Sequence, residues 1–234
     1  MLDYTEPGAL GTFTDRRSIE RLERKMQREG GLEGRSMAGT FDVLRANDLI
    51  FNYVVSNWLL GQDPPAFDIL AWNADSTRMP AAMHAFYLRH FYVENRLPAG
   101  TLEIAGKQID LSAIKAPTYV VSAINDHIVP GESSYRTTGL VSGPVRFVLS
   151  SGGHIAGIVN PPSPKTWYEV ASSDDALPET GAAWRAGAQR RSGSWWEDWA
   201  GWSAQHAGPM QDPPGLGSER HRVLGEGPGS YVRT

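Results

Sequence analysis

The first hundred residues show apolar positions at helical spacing. A mostly polar helix is predicted over residues 16–29, and a strongly apolar helix is predicted from Phe41 to Leu60, where Gly61 ends it. A further helix is predicted from Pro80, a residue suited to a first helical turn, to about Asn95. This part of the chain is therefore expected to be helical.

From residue 101 the pattern favours strands. Residues 101–104 and 108–111 alternate between apolar and polar around Gly106-Lys107, which predicts a small hairpin. The continuous apolar run from Thr118 to Ile124 is typical of a parallel strand that is buried on both faces. A predicted helix over 131–141 and a second strand over 145–149 follow, so the order predicts a parallel strand–helix–strand unit.

The last part of the chain is predicted to hold helices near 178–190 and 194–206. A tail rich in Gly and Pro follows from Gly208 and is expected to be disordered or to lie on the surface. The second helix carries four of the eight tryptophans, namely Trp195, Trp196, Trp199 and Trp202. Two interpretations stay open: the helix docks on a core through its indole rings, or it presents an adhesive surface to a polymer or a partner protein.

Composition excludes several classes of protein. The net charge of −4 argues against a nucleic-acid partner, and the basic stretch 16–25 is interleaved with Glu20 and Glu23, which is typical of a solvated helix face. The chain has no cysteine, so it contains no disulfide, no thiolate metal site and no Cys nucleophile. No apolar run is long enough to span a bilayer and no signal-peptide core follows Met1, so a cytoplasmic location is expected.

Two polar side chains follow the two predicted parallel strands. Asp126 comes after the first strand, and His154 comes after the second, preceded by Gly152-Gly153. The carboxyl ends of parallel strands meet at one edge of a sheet, and functional groups collect there. An acid and then a histidine, each after its own strand, is the order found in the last part of an α/β-hydrolase triad. Asp126 would fix the tautomer of His154, which could then take a proton from a nucleophile.

Simpler explanations exist for each of these residues. Asp126 could be an ordinary turn residue, and His154 could be a hydrogen-bonded loop histidine. The sequence contains no Gly-x-Ser-x-Gly elbow: Gly34–Ala38 lacks a preceding buried strand, and neither Ser133 nor Ser151 stands in an elbow.

No metal or cofactor site is predicted. His84 and His90 stand six residues apart on a predicted helix and do not share a face, which argues against a metal site. The glycines at 225, 227 and 229 lack a preceding strand, so they do not form a phosphate-binding loop.

Several segments carry a family resemblance. Residues 64–77, 126–130 and 153–162, together with 177–178 and 193–196, resemble polyhydroxyalkanoate synthases of the class I type. The resemblance covers most of the chain up to about residue 205. It implies an α/β-hydrolase fold with a cap inserted before the acid-bearing strand. It also implies a Cys–His–Asp triad that transfers hydroxyacyl groups from coenzyme A thioesters to a growing polyester.

On this sequence Asp126 matches the acid of that triad and His154 matches the base. The Cys is expected upstream of Met1, which would fall within the strand after the nucleophile elbow. Gly131 stands where the resemblance leads us to expect Trp.

The expected architecture is α/β: a partial α/β-hydrolase fold made of the C-terminal strands of a parallel sheet, with a helical cap insertion and C-terminal helices. Residues 1–29 are expected to be a remnant of the N-terminal catalytic half, and residues 30–100 the helical cap. Residues 101–165 are expected to form the C-terminal part of the core with the acid and base loops. The C-terminal helices are expected over 166–206 and a flexible tail over 207–234.

The expected function is that of an acyltransferase portion with hydroxyacyl-coenzyme A as substrate and polyester as product, inactive alone because the Cys is absent. No cofactor, metal or membrane span is expected. An open alternative is a non-catalytic module that binds synthase subunits, as in a dimer, or polyester granules. A hydrolase with an unrecognised serine is a weaker alternative. Because only part of the sheet is expected, an exposed sheet edge predicts aggregation or dimerisation of the isolated chain.

Overall fold

The computed structural model describes residues 1–44, 46–63, 78–172, 177–227 and 229. It divides into two compact units, Met1–Glu197 and Asp198–Thr234. None of the helices within the described ranges is both long and apolar enough to cross a membrane.

The N-terminal part is helical, as the pattern predicts. A 3-10 turn, Gly8–Phe13, leads to helix α1, Arg16–Glu29. Asp15 caps the start of α1 by accepting hydrogen bonds from the backbone N–H groups of Arg17 and Ser18, and Gly30 ends it in the left-handed conformation. Residues 1–4 form no strand, so the strand end expected there is not found.

The predicted apolar helix over 41–60 is divided into shorter pieces. Helix α2, Gly34–Leu44, is followed by π-helical turns at Asn47–Phe51 and Val54–Leu59, and Gly61 ends the series with a positive φ. Large apolar side chains of this segment are exposed, namely Val43, Ile50, Phe51, Val55, Trp58, Leu59 and Leu60. The segment 64–77, which carries part of the family resemblance, lies outside the described residues.

The next helix packs against the first one. Helix α3, Ala81–Tyr87, continues as π-helical turns over Leu88–Val93. Arg89 donates hydrogen bonds to both carboxylate oxygens of the buried Glu23 on α1, at 3.1 and 2.5 Å. Edge-to-face ring contacts also join the N-terminal segment to this helix, and they involve Tyr4, Tyr87, Phe91 and Tyr92.

Two small antiparallel ladders accompany these helices. Strands β1, Gly31–Leu32, and β2, Met79–Pro80, pair with each other. Strands β3, Glu103–Ile104, and β4, Lys107–Gln108, form the predicted hairpin. Ala105 and Gly106 both have positive φ, which is the conformation of a two-residue turn between such strands. Lys107 therefore belongs to a strand and not to the turn.

The main sheet has the order β5-β6-β7-β8. Strands β5, Thr118–Ala123, and β6, Val145–Ser150, run parallel, and helix α4, Gly131–Tyr135, with a 3-10 turn at Arg136–Gly139 makes the crossover between them. The predicted parallel unit is confirmed.

The sheet is mixed and not wholly parallel. Strands β7, Trp167–Val170, and β8, Gln189–Ser192, add to it in antiparallel order. Only helices were expected over 166–206, and that expectation is wrong for these two strands. The residues of β8 are polar and show no strand pattern. Contacts with β7 hold this strand instead: Arg190 pairs with the buried Glu169 and stacks over the ring of Trp167.

The core lies on both faces of the sheet. On one face helix α6, Gly181–Gly187, contributes Trp184 to a cluster with Tyr135, Phe147 and Leu149. On the other face Val148, Tyr168 and Val170 form a cluster that contacts Trp195.

Helix α7 comprises Trp195–His206. Trp195, its first residue, packs against the cluster of Val148, Tyr168 and Val170, whereas Trp196 and Trp199 are exposed. A short helix that the sequence did not predict, α5, spans Ala156–Val159. The described residues after Gly208 lie in no helix or strand and are exposed.

Candidate catalytic site

The loops after β5 and β6 meet at the carboxyl edge of the sheet. Ala123 and Ser150 end the two strands and are register partners. Beyond them the backbone N–H of Ile124 donates to the carbonyl of Ser150 at 2.9 Å, and the N–H of Asn125 donates to the carbonyl of Gly152 at 2.9 Å. The two loops are therefore joined by hydrogen bonds before either candidate side chain is reached.

Asp126 occupies a tight turn directly after β5. Its N–H donates to the carbonyl of Ala123 at 3.2 Å, and its Oδ1 accepts hydrogen bonds from the N–H groups of Ile128 at 2.9 Å and Val129 at 2.8 Å. The side chain is only 4% exposed. Asp126 is thus a turn residue, and the same turn fixes the direction of its carboxylate.

His154 lies opposite this carboxylate. Its Nδ1 is 2.9 Å from Oδ2 and 3.1 Å from Oδ1 of Asp126. Because an ionised carboxylate only accepts hydrogen bonds, Nδ1 carries the proton of the contact, and Nε2 is the nitrogen that could accept a proton from another group. The imidazole side chain is 39% exposed, so a reacting group can reach it.

Two glycines allow the loop of His154 to fold tightly onto β5. Gly152 has a φ of +102°, and a Cβ atom there would lie 2.9 Å from the backbone nitrogen of Gly157. A Cβ atom at Gly157 would lie 2.4 Å from the Cβ of Ala123. Larger residues at either position would push the loop away from the strand that carries Asp126.

Gly131 opens a space beside the turn of Asp126. It lines a cavity of about 300 Å³ together with Tyr135, Phe147, Leu149 and Trp184. A Cβ atom at position 131 would make an ordinary contact of 3.4 Å with Leu149, so this site has room for a side chain.

The other candidate residues have structural roles. The hydroxyl of Ser133 is fully buried and donates to the carbonyl of Glu6 at 2.7 Å, and the hydroxyl of Ser151 accepts from the N–H of Trp167 at 3.1 Å. Burial lowers the pKa of His84. Nδ1 of His90 lies 2.9 Å from Oε2 of Glu94. Among the described ranges, no three His, Asp or Glu side chains come together in a way that could hold a metal ion.

Sequence reasoning missed the residues that fix the C-terminal end of the loop that carries His154. Asn160, with the unusual φ of +32°, donates a hydrogen bond from Nδ2 to the hydroxyl of Ser150 at 2.7 Å. The hydroxyl of Ser194 donates to the carbonyl of Asn160 at 2.5 Å. The sequence offers two signals: Asn160, a residue tolerant of positive φ, stands directly before Pro161-Pro162, and both Asn160 and Ser194 lie in segments that carry the family resemblance.

These features define a class: a mixed α/β protein with a histidine–carboxylate pair at the carboxyl edge of two parallel strands. No protein-family model matches the chain. Curated relatives do match it over essentially its whole length. It is 40% identical over 240 residues to the poly(3-hydroxyalkanoate) polymerase subunit PhaC of Cupriavidus necator, a match that covers 100% of this chain and 40% of the relative.

Two further relatives give the same result. The chain is 43% identical over 233 residues to the poly(3-hydroxyalkanoate) polymerase subunit PhaC of Rhizobium meliloti, covering 99% of this chain and 38% of that protein. It is 41% identical over 236 residues to the poly(3-hydroxyalkanoate) polymerase 2 of Ectopseudomonas oleovorans, covering 100% of this chain and 42% of that protein. The chain is similar to these poly(3-hydroxyalkanoate) polymerases over essentially its whole length and spans about two fifths of theirs.

Proposed function

We propose that the chain is the C-terminal portion of a polyhydroxyalkanoate synthase of the class I type, with a partial α/β-hydrolase fold in which Asp126 is the catalytic acid and His154 is the catalytic base. The observation that carries this proposal is the 2.9 Å contact between Nδ1 of His154 and Oδ2 of Asp126. The place of both residues, after neighbouring parallel strands, supports it further.

The proposed reaction is the transfer of a hydroxyacyl group from coenzyme A to a polyester. Nε2 of His154 takes the proton of a Cys thiol, and the thiolate attacks the thioester carbonyl. The carbon–sulfur bond to coenzyme A breaks, the imidazolium returns its proton to the departing thiolate, and the acyl group is left as a thioester on the Cys. His154 then takes the proton of a hydroxyl at the end of the polyester, whose oxygen attacks this thioester. The Cys sulfur leaves and recovers the proton, so the polyester is one unit longer. Asp126 stabilises the imidazolium between these steps and keeps Nε2 directed toward the reacting groups.

The nucleophile has to come from outside these 234 residues, because the sequence contains no cysteine. A neutral imidazole cannot replace it, since a thiolate is the group that attacks the thioester. The isolated chain is therefore expected to release no coenzyme A from hydroxybutyryl-coenzyme A above the level of a His154→Ala variant. Release above that level would contradict the proposal.

A chimera tests the proposed roles directly. The chain is joined to the part of the Cupriavidus necator polymerase that it does not cover, and release of coenzyme A from hydroxybutyryl-coenzyme A is measured. The chimera is expected to be active, and Asp126→Asn and His154→Gln are each expected to lower kcat by roughly 10³- to 10⁴-fold. Thr180→Ala, which removes the side-chain cap of α6, serves as the control and should leave kcat unchanged. An active His154→Gln chimera would refute the role of the base.

A second candidate function is non-catalytic binding to synthase subunits or to the surface of polyester granules. The observation that favours it is the group of exposed apolar side chains between Val43 and Leu60. Binding of the isolated chain to polyester particles, weakened by Trp58→Ser and Leu59→Ser, would support this function. Binding that both variants retain would argue against this surface.

A further inference from the structure

The loop that carries His154 is closed at its base by a hydrogen bond between two side chains. Ser150 ends β6 before the loop, and Asn160 follows α5 after it. Nδ2 of Asn160 donates to the hydroxyl oxygen of Ser150 at 2.7 Å, and both residues are fully buried. Water cannot replace either partner at such a site, so the bond holds the two ends of the loop together.

The backbone of Asn160 fits it for this role. Its φ of 32° and ψ of 59° are left-handed, a conformation that Asn tolerates better than most residues. Its N–H donates to the carbonyl of Ala156 at 2.9 Å and so ends α5. The chain reverses at this point, and the amide group of Asn160 reaches back to the end of β6.

A second group of contacts holds the same loop from the C-terminal side. The hydroxyl of Ser194 donates to the carbonyl of Asn160 at 2.5 Å and accepts from the N–H of Trp196 at 3.1 Å, so it also caps the start of α7. The indole Nε1 of Trp195 donates to the carbonyl of Ile158 at 2.9 Å.

Ser150 also ties this network to Asp126. It pairs in register with Ala123, whose carbonyl accepts the hydrogen bond from the N–H of Asp126. Asn160 is therefore anchored to the strand end that positions the carboxylate, although it acts on the imidazole only through the loop.

We propose that Asn160 is a positioning residue that keeps the imidazole of His154 against Asp126 through its hydrogen bond to Ser150. This inference rests on the proposed function only in that His154 is taken as the base. A loop that is free at its base can swing the ring away from the carboxylate, whereas the closed loop cannot.

The test measures how fast the Nδ1 proton of His154 exchanges with solvent, by NMR of the full chain labelled with ¹⁵N-histidine. Asn160→Gly keeps the left-handed backbone accessible and removes the donor, while Ser150→Ala removes the acceptor. Each variant is expected to speed the exchange by about fivefold, as the loss of one ordinary hydrogen bond would. The double variant should add little to Ser150→Ala, because that variant already loses the bond to Asn160, together with the longer bond of 3.3 Å from the Ser150 hydroxyl to the carbonyl of Ser151.

The control is Thr180→Ala, which removes a helix cap that has no link to the loop. It lowers stability without touching Asn160, so the exchange should stay unchanged. Unchanged exchange in Ser150→Ala, or the same acceleration in Thr180→Ala, would overturn the inference. If Asn160→Gly fails to fold, Ser150→Ala decides the matter, since it removes a single hydroxyl. The readout requires no acyl transfer, so an inactive chimera would count against the proposed function and not against this role of Asn160.

Discussion

The sheet region and the helical segment before residue 61 are both rich in apolar residues, but the sheet region buries them and the helical segment exposes them. In the sheet region Trp184 is 3% exposed and packs edge-to-face against Phe147 at a ring distance of 4.8 Å. In the helical segment Trp58 is 83% exposed. The amount of apolar sequence alone does not decide where a core forms; the pairing of strands with helices that cover them does.

This difference separates the site from the helical segment. The contacts that orient Asp126 and His154 come from β5, β6 and the segments that pack on them, up to Trp195. The apolar side chains between Val43 and Leu60 contribute none of these hydrogen bonds. The two regions should therefore respond differently to substitution.

The largest expected difference is between two tryptophans. Trp184→Ala removes a ring from the buried cluster and should lower the free energy of unfolding by about 3–5 kcal/mol, because it loses apolar burial and leaves a cavity. Trp58→Ala removes an exposed ring and should change it by no more than about 0.5 kcal/mol. Urea unfolding of both variants measures the contrast. Equal losses would show that the segment before residue 61 is as firmly packed as the sheet.

A pair of helical glycines sharpens the comparison within the sheet region. Gly157→Ala places a Cβ atom 2.4 Å from the Cβ of Ala123 and should lower the free energy of unfolding by about 1–3 kcal/mol. Gly187→Ala meets nothing within 4 Å and should raise it by roughly 0.5–1 kcal/mol, because alanine favours the helix. Thermal unfolding shows whether each substitution lowers or raises stability. An unchanged stability in Gly157→Ala would mean that the loop of His154 has room to move.

The smallest expected effect concerns pH. Burial raises the pKa of Glu169, but hydrogen bonds from Arg185 and Arg190 outweigh it, and the pKa is lowered from its ordinary value of 4.5. The unfolded chain therefore binds this proton more readily than the folded one. The stabilisation is present above pH 4.5 and is lost as the pH falls through the lowered value.

Glu169→Gln should consequently make the loss of stability below pH 4.5 shallower than in the unmodified chain. The exposed Glu179→Gln is the matched control and should leave the slope unchanged. Urea midpoints between about pH 5 and pH 3 measure the slopes. Parallel slopes for all three proteins would exclude Glu169 as a contributor.

The sequence could predict features that depend on local patterns. The run from Thr118 to Ile124 identified β5, and the order of acid and histidine after two strands predicted that Asp126 and His154 would lie together. Strand β8 could not be predicted, because its four residues are all polar and show no strand pattern, and β7 is a run of only four residues. The bond between Asn160 and Ser150 was missed for a similar reason: a left-handed Asn has no pattern of its own, and the bond depends on where the chain returns.

The central claim is that Asp126 fixes the tautomer of His154. Oδ1 of Asp126 is held by the N–H groups of Ile128 and Val129, so an Asn at this position would place its NH₂ group where Oδ2 now faces Nδ1 of His154. The ¹⁵N spectrum of the histidine ring at about pH 9, where an imidazole is neutral, reads the tautomer directly. We predict a protonated Nδ1 and a bare Nε2 in the unmodified chain, and the reverse in Asp126→Asn. A protonated Nε2 in the unmodified chain, or the same tautomer in both proteins, would contradict the account.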